Sequence, residues 1–344
     1  MKAWIKSFGF PRLIILLFLL LLIILMPILH VPTALTLSQC LVRIGINLVL
    51  SLAMAPGIVS GIGMNFALPI GIECGLVAGM ISCQFNMTGV GGILAAMLIS
   101  VPFSVLAGWL YAKLVNRVRG SENMVSTYMG FSVVALMCIG WLLLPFDHPS
   151  IVWPIGDGLR TTITLEAWYD RALNNMFAFE IFGVDIPVGL ILVDALFCLM
   201  MYLFLHSRAG LMMRAAGANP NYARANGVEV NQMRTLSVIL STVLGGVGII
   251  IYAQGFGFYQ LYNAPLMMAF PAIAAVLIGG ATPSRVTVAN VVLGTVMFQS
   301  LLTIAVPVAN AIIPEGNLSE VVRTIVSNGI ILYALAGMQG GKKA

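Results

Sequence analysis

Apolar runs long enough to cross a bilayer recur from one end of this chain to the other, and that recurrence decides the fold before any motif does. A helix needs about 20 residues to cross about 30 Å of hydrocarbon. Of the 344 residues, 60% are hydrophobic and only 8% charged, against about a quarter charged in a soluble globular domain. Backbone groups in lipid must be satisfied within their own segment, which selects helices. The alternating segments of a transmembrane barrel, about ten residues each, are absent. The chain therefore reads as an all-α polytopic membrane protein, a single transmembrane domain over 1–344.

The runs place about ten helices, at about 13–30, 44–61, 65–84, 90–113, 124–145, 187–206, 235–253, 266–281, 286–306 and 320–338, some of them broken. The first follows Lys2, Lys6 and Arg12 as a signal peptide would, but no small-residue cleavage site comes after it, so it is expected to be retained. Basic residues gather in short segments: Lys113, Arg117 and Arg119 after the fourth helix, Arg208, Arg214, Arg224 and Arg234 after the sixth, Lys342 and Lys343 at the end. With ten crossings all of these fall on one side, so both termini are expected in the cytoplasm of a bacterial cell, with the chain in its inner membrane. Orientation also explains the net charge of +5 without nucleic acid.

On the other side lies one long periplasmic loop, 146–186, carrying Asp147, Asp157, Glu166, Asp170, Glu180 and Asp185 with Trp153, Trp168 and Tyr169. Its aromatic residues suit an interfacial belt or a short amphipathic helix at the outer surface. Cys40, Cys74, Cys83, Cys138 and Cys198 have neither metal spacing nor a disulfide framework, and read as small buried apolar residues.

Two stretches are rich in glycine and broken by proline. One runs from Pro56 through Gly61, Gly63, Pro69, Gly71, Gly75 and Gly79; the other holds Gly245, Gly246, Gly248, Pro265, Pro271, Gly279 and Gly280. Interruptions at corresponding places in two halves point to a transport pathway near the midplane. Close helix packing through small residues accounts for the same glycines.

The chemistry of hydrolysis is missing. No GxxxxGK[ST] loop occurs, so the chain has no such cradle for nucleotide phosphates. His30, His148 and His206 are isolated and no HExxH occurs, so neither catalytic nor metal-binding residues nor a bound cofactor are expected. Two carboxylates, Glu73 and Asp194, fall within apolar runs. Ionisable groups at that depth are costly and mark a pathway, a partner or a structural bond.

The cytoplasmic segment 207–234 is the polar exception. A plain connection would need only a few residues. Here Asn219 and Pro220 open a short helix that Gly227 stops, a shape suited to insertion into a groove on a cytoplasmic partner. Its residues carry a family pattern of the form G-x-x-x-R-A-x-G-x-N-x-x-A-A-x-x-x-G-I-x-V: Gly210, Arg214, Ala215, Gly217, Asn219, Ala223, Gly227, Val228 and Val230, with Ala225, Asn231 and Arg234. In this the chain resembles the permease subunits of ATP-binding cassette importers for simple sugars, nucleosides and branched-chain amino acids. Ile70, Gly71, Ile72 and Glu73 are similar to the I-G-L-E stretch of nucleoside-type members, while the G-x-D-L-S-x-G stretch of ribose-type members is absent.

The resemblance implies a transport subunit that is no enzyme itself. Its partners would be cytoplasmic ATPase subunits that hold ATP and Mg, a second permease chain, and a periplasmic protein delivering a nucleoside or simple sugar. Gly217, Asn219, Pro220, Tyr222, Ala223, Arg224 and Gly227 would form the ATPase coupling surface. Asn65, Phe66, Glu73, Gln254, Phe270 and Asn290 are the candidates for lining the path. The alternative is an ion-coupled secondary carrier using Glu73 or Asp194.

Overall fold

The structure, a computed structural model, describes residues 10–312 apart from 283 and 284, with isolated helical positions at 321, 324, 325, 328 and 329. Beyond those positions, the tenth expected helix lies outside the described residues. In chain order the helices are α1 (Phe10–Ile28), α2 (Thr33–Leu52), α3 (Met54–Val59), α4 (Leu68–Gln84), α5 (Gly89–Arg117) and α6 (Glu122–Leu143). After a long connection come α7 (Ala172–Asn175), α8 (Val188–His206), α9 (Arg208–Ala218), α10 (Pro220–Ala225), α11 (Val230–Phe256), a 3-10 turn (Ala264–Met267), α12 (Ala269–Ile278) and α13 (Val288–Ile312).

Six of these segments are long and apolar enough to cross a membrane, with α2 and α3 together making one, and three shorter apolar helices accompany them. Rows of large apolar side chains face outward: Leu94, Leu98, Leu106 and Leu110 on α5, and Leu192, Leu196, Leu199 and Leu203 on α8. Spacings of three, four and eight residues make each row one helix face, the face hydrocarbon would cover. The inward faces are small instead. α11 packs against α4, α5 and α2, and a Cβ on Gly71 or Gly75 of α4 would strike the Thr242 or Gly246 carbonyl oxygen of α11. Glycines at helix contacts let backbones approach this closely, so the packing reading of these residues holds in the structure.

Several expected boundaries move. The second helix starts at Thr33, not 44, and carries Arg43 within it; the guanidinium lies over the Phe256 ring, 5.5 Å from its centroid. α5 continues past 113 to Arg117, with the Lys113 ammonium folded back over Trp109, 3.3 Å from the ring centroid. α13 continues through Pro307 to Ile312 rather than stopping at 306; spanning helices tolerate proline where neighbours satisfy the freed carbonyl.

The 146–186 loop departs most from expectation. Its main elements are short strands: β1 (Thr162–Thr164) pairs antiparallel with β4 (Phe258–Gln260), and β2 (Phe179–Ile181) pairs with β3 (Val184–Ile186). The one helix in it, α7, is only four residues long. Trp168 and Tyr169 do not form an outer belt; they are 5% and 2% exposed. Tyr169 shares a hydroxyl contact of 3.0 Å with Tyr259, and Trp168 Nε1 donates to Asn86 Oδ1 at 3.3 Å. Burial pushes both tyrosine hydroxyls well above the ordinary phenol range, so they stay neutral donors in this apolar plug.

Candidate transport pathway and coupling surface

The connection 60–67 between α3 and α4 is the structural centre of the site. Gly61 (φ +75°) and Gly63 (φ +104°) take left-handed backbone there, which glycine adopts without a Cβ clash. The Gly57 carbonyl accepts from both Ile62 N and Gly63 N. Side chains of neighbouring helices staple the rest. Ser237 Oγ donates to Ser60 Oγ at 2.8 Å, and Asn65 Nδ2 donates to Ser241 Oγ at 2.8 Å. Ser241 Oγ in turn donates to the Ala53 carbonyl at 2.6 Å, while Ser126 Oγ accepts from Ala67 N at 2.8 Å. Irregular backbone inside a membrane bundle survives only with such partners.

Asn65 is thereby committed to holding the connection, and the residue after it, Phe66, is the one presented. Its ring meets Phe270 at the head of α12 edge-on, with centroids 6.2 Å apart and planes at 64°. Pro69, Thr127, Gly130, Phe131 and Leu266 complete the surrounding crevice, whose free volume is only about 10 Å³, barely one water-sized sphere. The two interrupted segments thus meet in an aromatic constriction, and Thr127 and Phe131 of α6 belong to it although sequence reasoning did not select them.

The other pathway candidates are placed apart. Gln254 is fully buried; its Oε1 accepts from Leu173 N at 3.1 Å and its Nε2 donates to Asn174 Oδ1 at 3.2 Å, tying the 146–186 loop to α11. Asn290 joins α12 to α13 by donating to the Gly279 carbonyl at 2.9 Å, and its Oδ1 accepts from Thr287 Oγ1. Glu73 is 3% exposed and neither carboxylate oxygen finds a partner among the described residues. The same is true of Oδ1 of Asp194, which is 6% exposed. Glu73 does not line the crevice at Phe66.

At the end of the molecule opposite the 146–186 loop, α9 and α10 lie across the helix ends. Asn219 caps α10, its Oδ1 accepting from Asn221 N at 3.1 Å and Tyr222 N at 3.0 Å; Gly227 closes it at φ +78°. Ala223 points inward onto Ala216 and Val230, while Pro220, Tyr222 and Arg224 are exposed. Gly217 sits on the 60–67 connection: a Cβ there would strike the Val59 carbonyl and come within 2.8 Å of Gly61 N. The expected coupling residues therefore divide into two sets, Asn219, Pro220, Tyr222, Arg224 and Gly227 exposed, Gly217 and Ala223 facing the bundle.

A family described as the branched-chain amino acid transport system / permease component matches residues 36–335. The chain belongs to this permease family. Two relatives from Lactococcus lactis subsp. cremoris are similar over part of their length. The nucleoside ABC transporter permease protein NupB is 26% identical over 151 residues, 43% of this permease and 38% of NupB. The nucleoside ABC transporter permease protein NupC is 33% identical over 103 residues, 30% of this permease and 32% of NupC. The permease thus aligns with about a third of the length of each. A solved chain described as an ABC transporter of the metal-chelate type, in an inward-facing conformation, superposes with a TM-score of 0.46 at 15% identity, covering 94% of the permease and 99% of that chain.

One element of the permease escaped sequence reading. Arg234, taken as a loop charge, is buried at the start of α11, where its Nη2 bonds Glu122 Oε1 at 2.7 Å and its Nε bonds Asn116 Oδ1 at 3.1 Å. Glu122 Oε2 also accepts from Gly120 N at 2.8 Å. The cluster locks α11, which follows α9 and α10, to the ends of α5 and α6. Glu122 was legible as a lone acid among basic residues, though its partner was not.

Proposed function

We propose that this permease is the membrane-spanning subunit of an ATP-binding cassette importer for a nucleoside or related small hydrophilic solute. The observation that carries the reading is the seat of Gly217 on the 60–67 connection, in a chain of this family. Tyr222 and Arg224 dock in a groove of a cytoplasmic ATPase that holds ATP and Mg. Closure of the ATPase pushes α9 against Gly61, and the connection carries Phe66 toward or away from Phe270. Two permease chains enclose the path, and a periplasmic binding protein delivers the solute to the end bearing the 146–186 loop. The protein sits in the inner membrane with both termini cytoplasmic. Nucleoside is favoured over simple sugar by the likeness to NupB and NupC and by the aromatic constriction, since nucleobases stack on aromatic rings.

Uptake of labelled nucleoside into proteoliposomes holding the permease, its ATPase and its binding protein tests the reading. ATP-dependent accumulation is expected. Accumulation driven by an imposed pH gradient without ATP would instead favour an ion-coupled carrier, for which the unpartnered Glu73 and Asp194 would be the coupling groups.

A further inference from the structure

Beside the ends of α2, α8 and α11 nearest the 146–186 loop lies a cavity of about 590 Å³ that shares no lining residue with the Phe66 crevice and whose lining includes Gln39, Arg43, Arg171, Asn174, Asp185 and Phe256. Its lining carries two arginines and one acid, Asp185, the chemistry of an anion site; a second acid, Asp170, stands behind Arg171 outside the lining. The Arg43 guanidinium is held over Phe256, a ring that itself stacks on Tyr252 with centroids 5.0 Å apart and planes at 16°. Arg171 is 62% exposed at the side chain and has Asp170 no closer than 3.9 Å. Because Gln254 takes up Asn174 Oδ1, the Asn174 amide is left to offer its N–H groups to the cavity.

The surroundings point to lipid. Leu35, Val42 and Ile46 of α2 line the same cavity. The adjoining β2–β3 hairpin, which contributes Asp185, turns Phe179, Ile181 and Phe182 outward at 50%, 44% and 99% exposure. A group of large apolar side chains at this level costs free energy in water and gains it at the bilayer interface. Arginine forks match phosphate oxygens, and their stems pack on acyl chains.

We propose that this cavity binds the headgroup of an ethanolamine phospholipid, the phosphodiester between Arg43 and Arg171 and the ammonium beside Asp185. Assigning that lipid to the outer leaflet rests on the orientation proposed above; the binding itself does not. The bound lipid would pin α2 to the outer ends of α8 and α11 and the hairpin to the membrane.

Native mass spectrometry of the purified full-length permease in mild detergent tests this, with phosphatidylethanolamine, phosphatidylglycerol, diacylglycerol of the same chains and inorganic phosphate as separate titrants. One tightly held phosphatidylethanolamine per chain is expected, with diacylglycerol held at least about tenfold more weakly for want of charge-assisted contacts. Arg43→Gln with Arg171→Gln should weaken retention by about tenfold or more, while Arg43→Lys keeps most of it. Asp185→Asn should shift preference toward phosphatidylglycerol. Equal retention by wild type and the double glutamine variant would overturn the proposal, as would equal binding of diacylglycerol. Displacement of the lipid by inorganic phosphate would make this a site for soluble anions and overturn the lipid assignment. Melting curves in the same detergent guard against misfolding, and Arg171→Gln, in an exposed loop, serves alone if the double variant melts early. Lipid retention is read without transport, so this result and the uptake result stand or fall separately.

Discussion

Gly217 of α9 and Gly61 of the α3–α4 connection touch backbone to backbone: a Cβ built on Gly61 would lie 2.8 Å from the Gly217 Cα. No side chain cushions the contact, so a displacement of α9 reaches the connection directly. From there Asn65 and Phe66 lie four and five residues along the chain.

Gly217→Leu should therefore break coupling. The added side chain must move α9 off the connection, and overpacking at such a site costs about 1–3 kcal/mol. ATP-driven uptake should fall by about tenfold or more, since a small misplacement of coupled groups has large kinetic effect. Gly217→Ala should be intermediate. Uptake and ATPase binding in proteoliposomes check both; a leucine variant with normal uptake rules out the direct contact as the route.

The Arg234–Glu122 pair gives a second test. Its two side chains are 9% and 14% exposed. Removing one partner of a buried pair strands the other, at about 3–5 kcal/mol for full burial and less here. Arg234→Ala should lower the melting temperature in detergent, and Arg234→Ala combined with Glu122→Gln should recover part of the loss. No recovery in the double variant would mean the two residues act independently.

At the constriction, Phe66→Ala should remove both a ring contact worth about 0.5–1.5 kcal/mol and the plug of the crevice. The expected phenotype is leakage: faster efflux of preloaded solute with ATP hydrolysis retained. Phe270→Ala should behave alike. Efflux unchanged in both variants would place the barrier elsewhere.

Glu73 separates the two transport classes. Glu73→Gln keeps the shape of a side chain whose carboxylate oxygens have no partner among the described residues, so ATP-dependent uptake should be substantially retained, whereas Glu73→Ala leaves a cavity on the glycine-packed α4 and should impair folding or uptake. The comparison is made with all partners present and ATP supplied.

Much of this architecture was readable from residues. Long apolar runs placed the helices, and the polar stretch around Asn219 stood out because nothing but water or a partner suits it. What escaped has physical causes. Arg43 and Arg234 sit in or at spanning helices, where a charge in a linear reading looks like a helix end; only folded neighbours, Phe256 and Glu122, show why each is tolerated. The three-residue strands of the 146–186 loop are too short to display a period of two. Gln254 and Asn290 looked like pathway groups because a polar residue in an apolar helix has two uses, and a sequence does not show that Leu173 N and the Gly279 carbonyl already claim their amides. Phe66 and Phe270 were singled out through the broken segments that carry them, and the structure brings their rings together.

The most direct test of the whole account is nucleoside uptake into proteoliposomes by the complete complex, carrying either wild-type permease or Arg224→Glu at the outward face of α10. Accumulation should require ATP and ignore an imposed pH gradient, and the Arg224→Glu complex should lose uptake through failure to engage the ATPase while its permease melts as wild type does. Gradient-driven accumulation without ATP, abolished by Glu73→Gln and indifferent to Arg224→Glu, would contradict the account and establish an ion-coupled carrier.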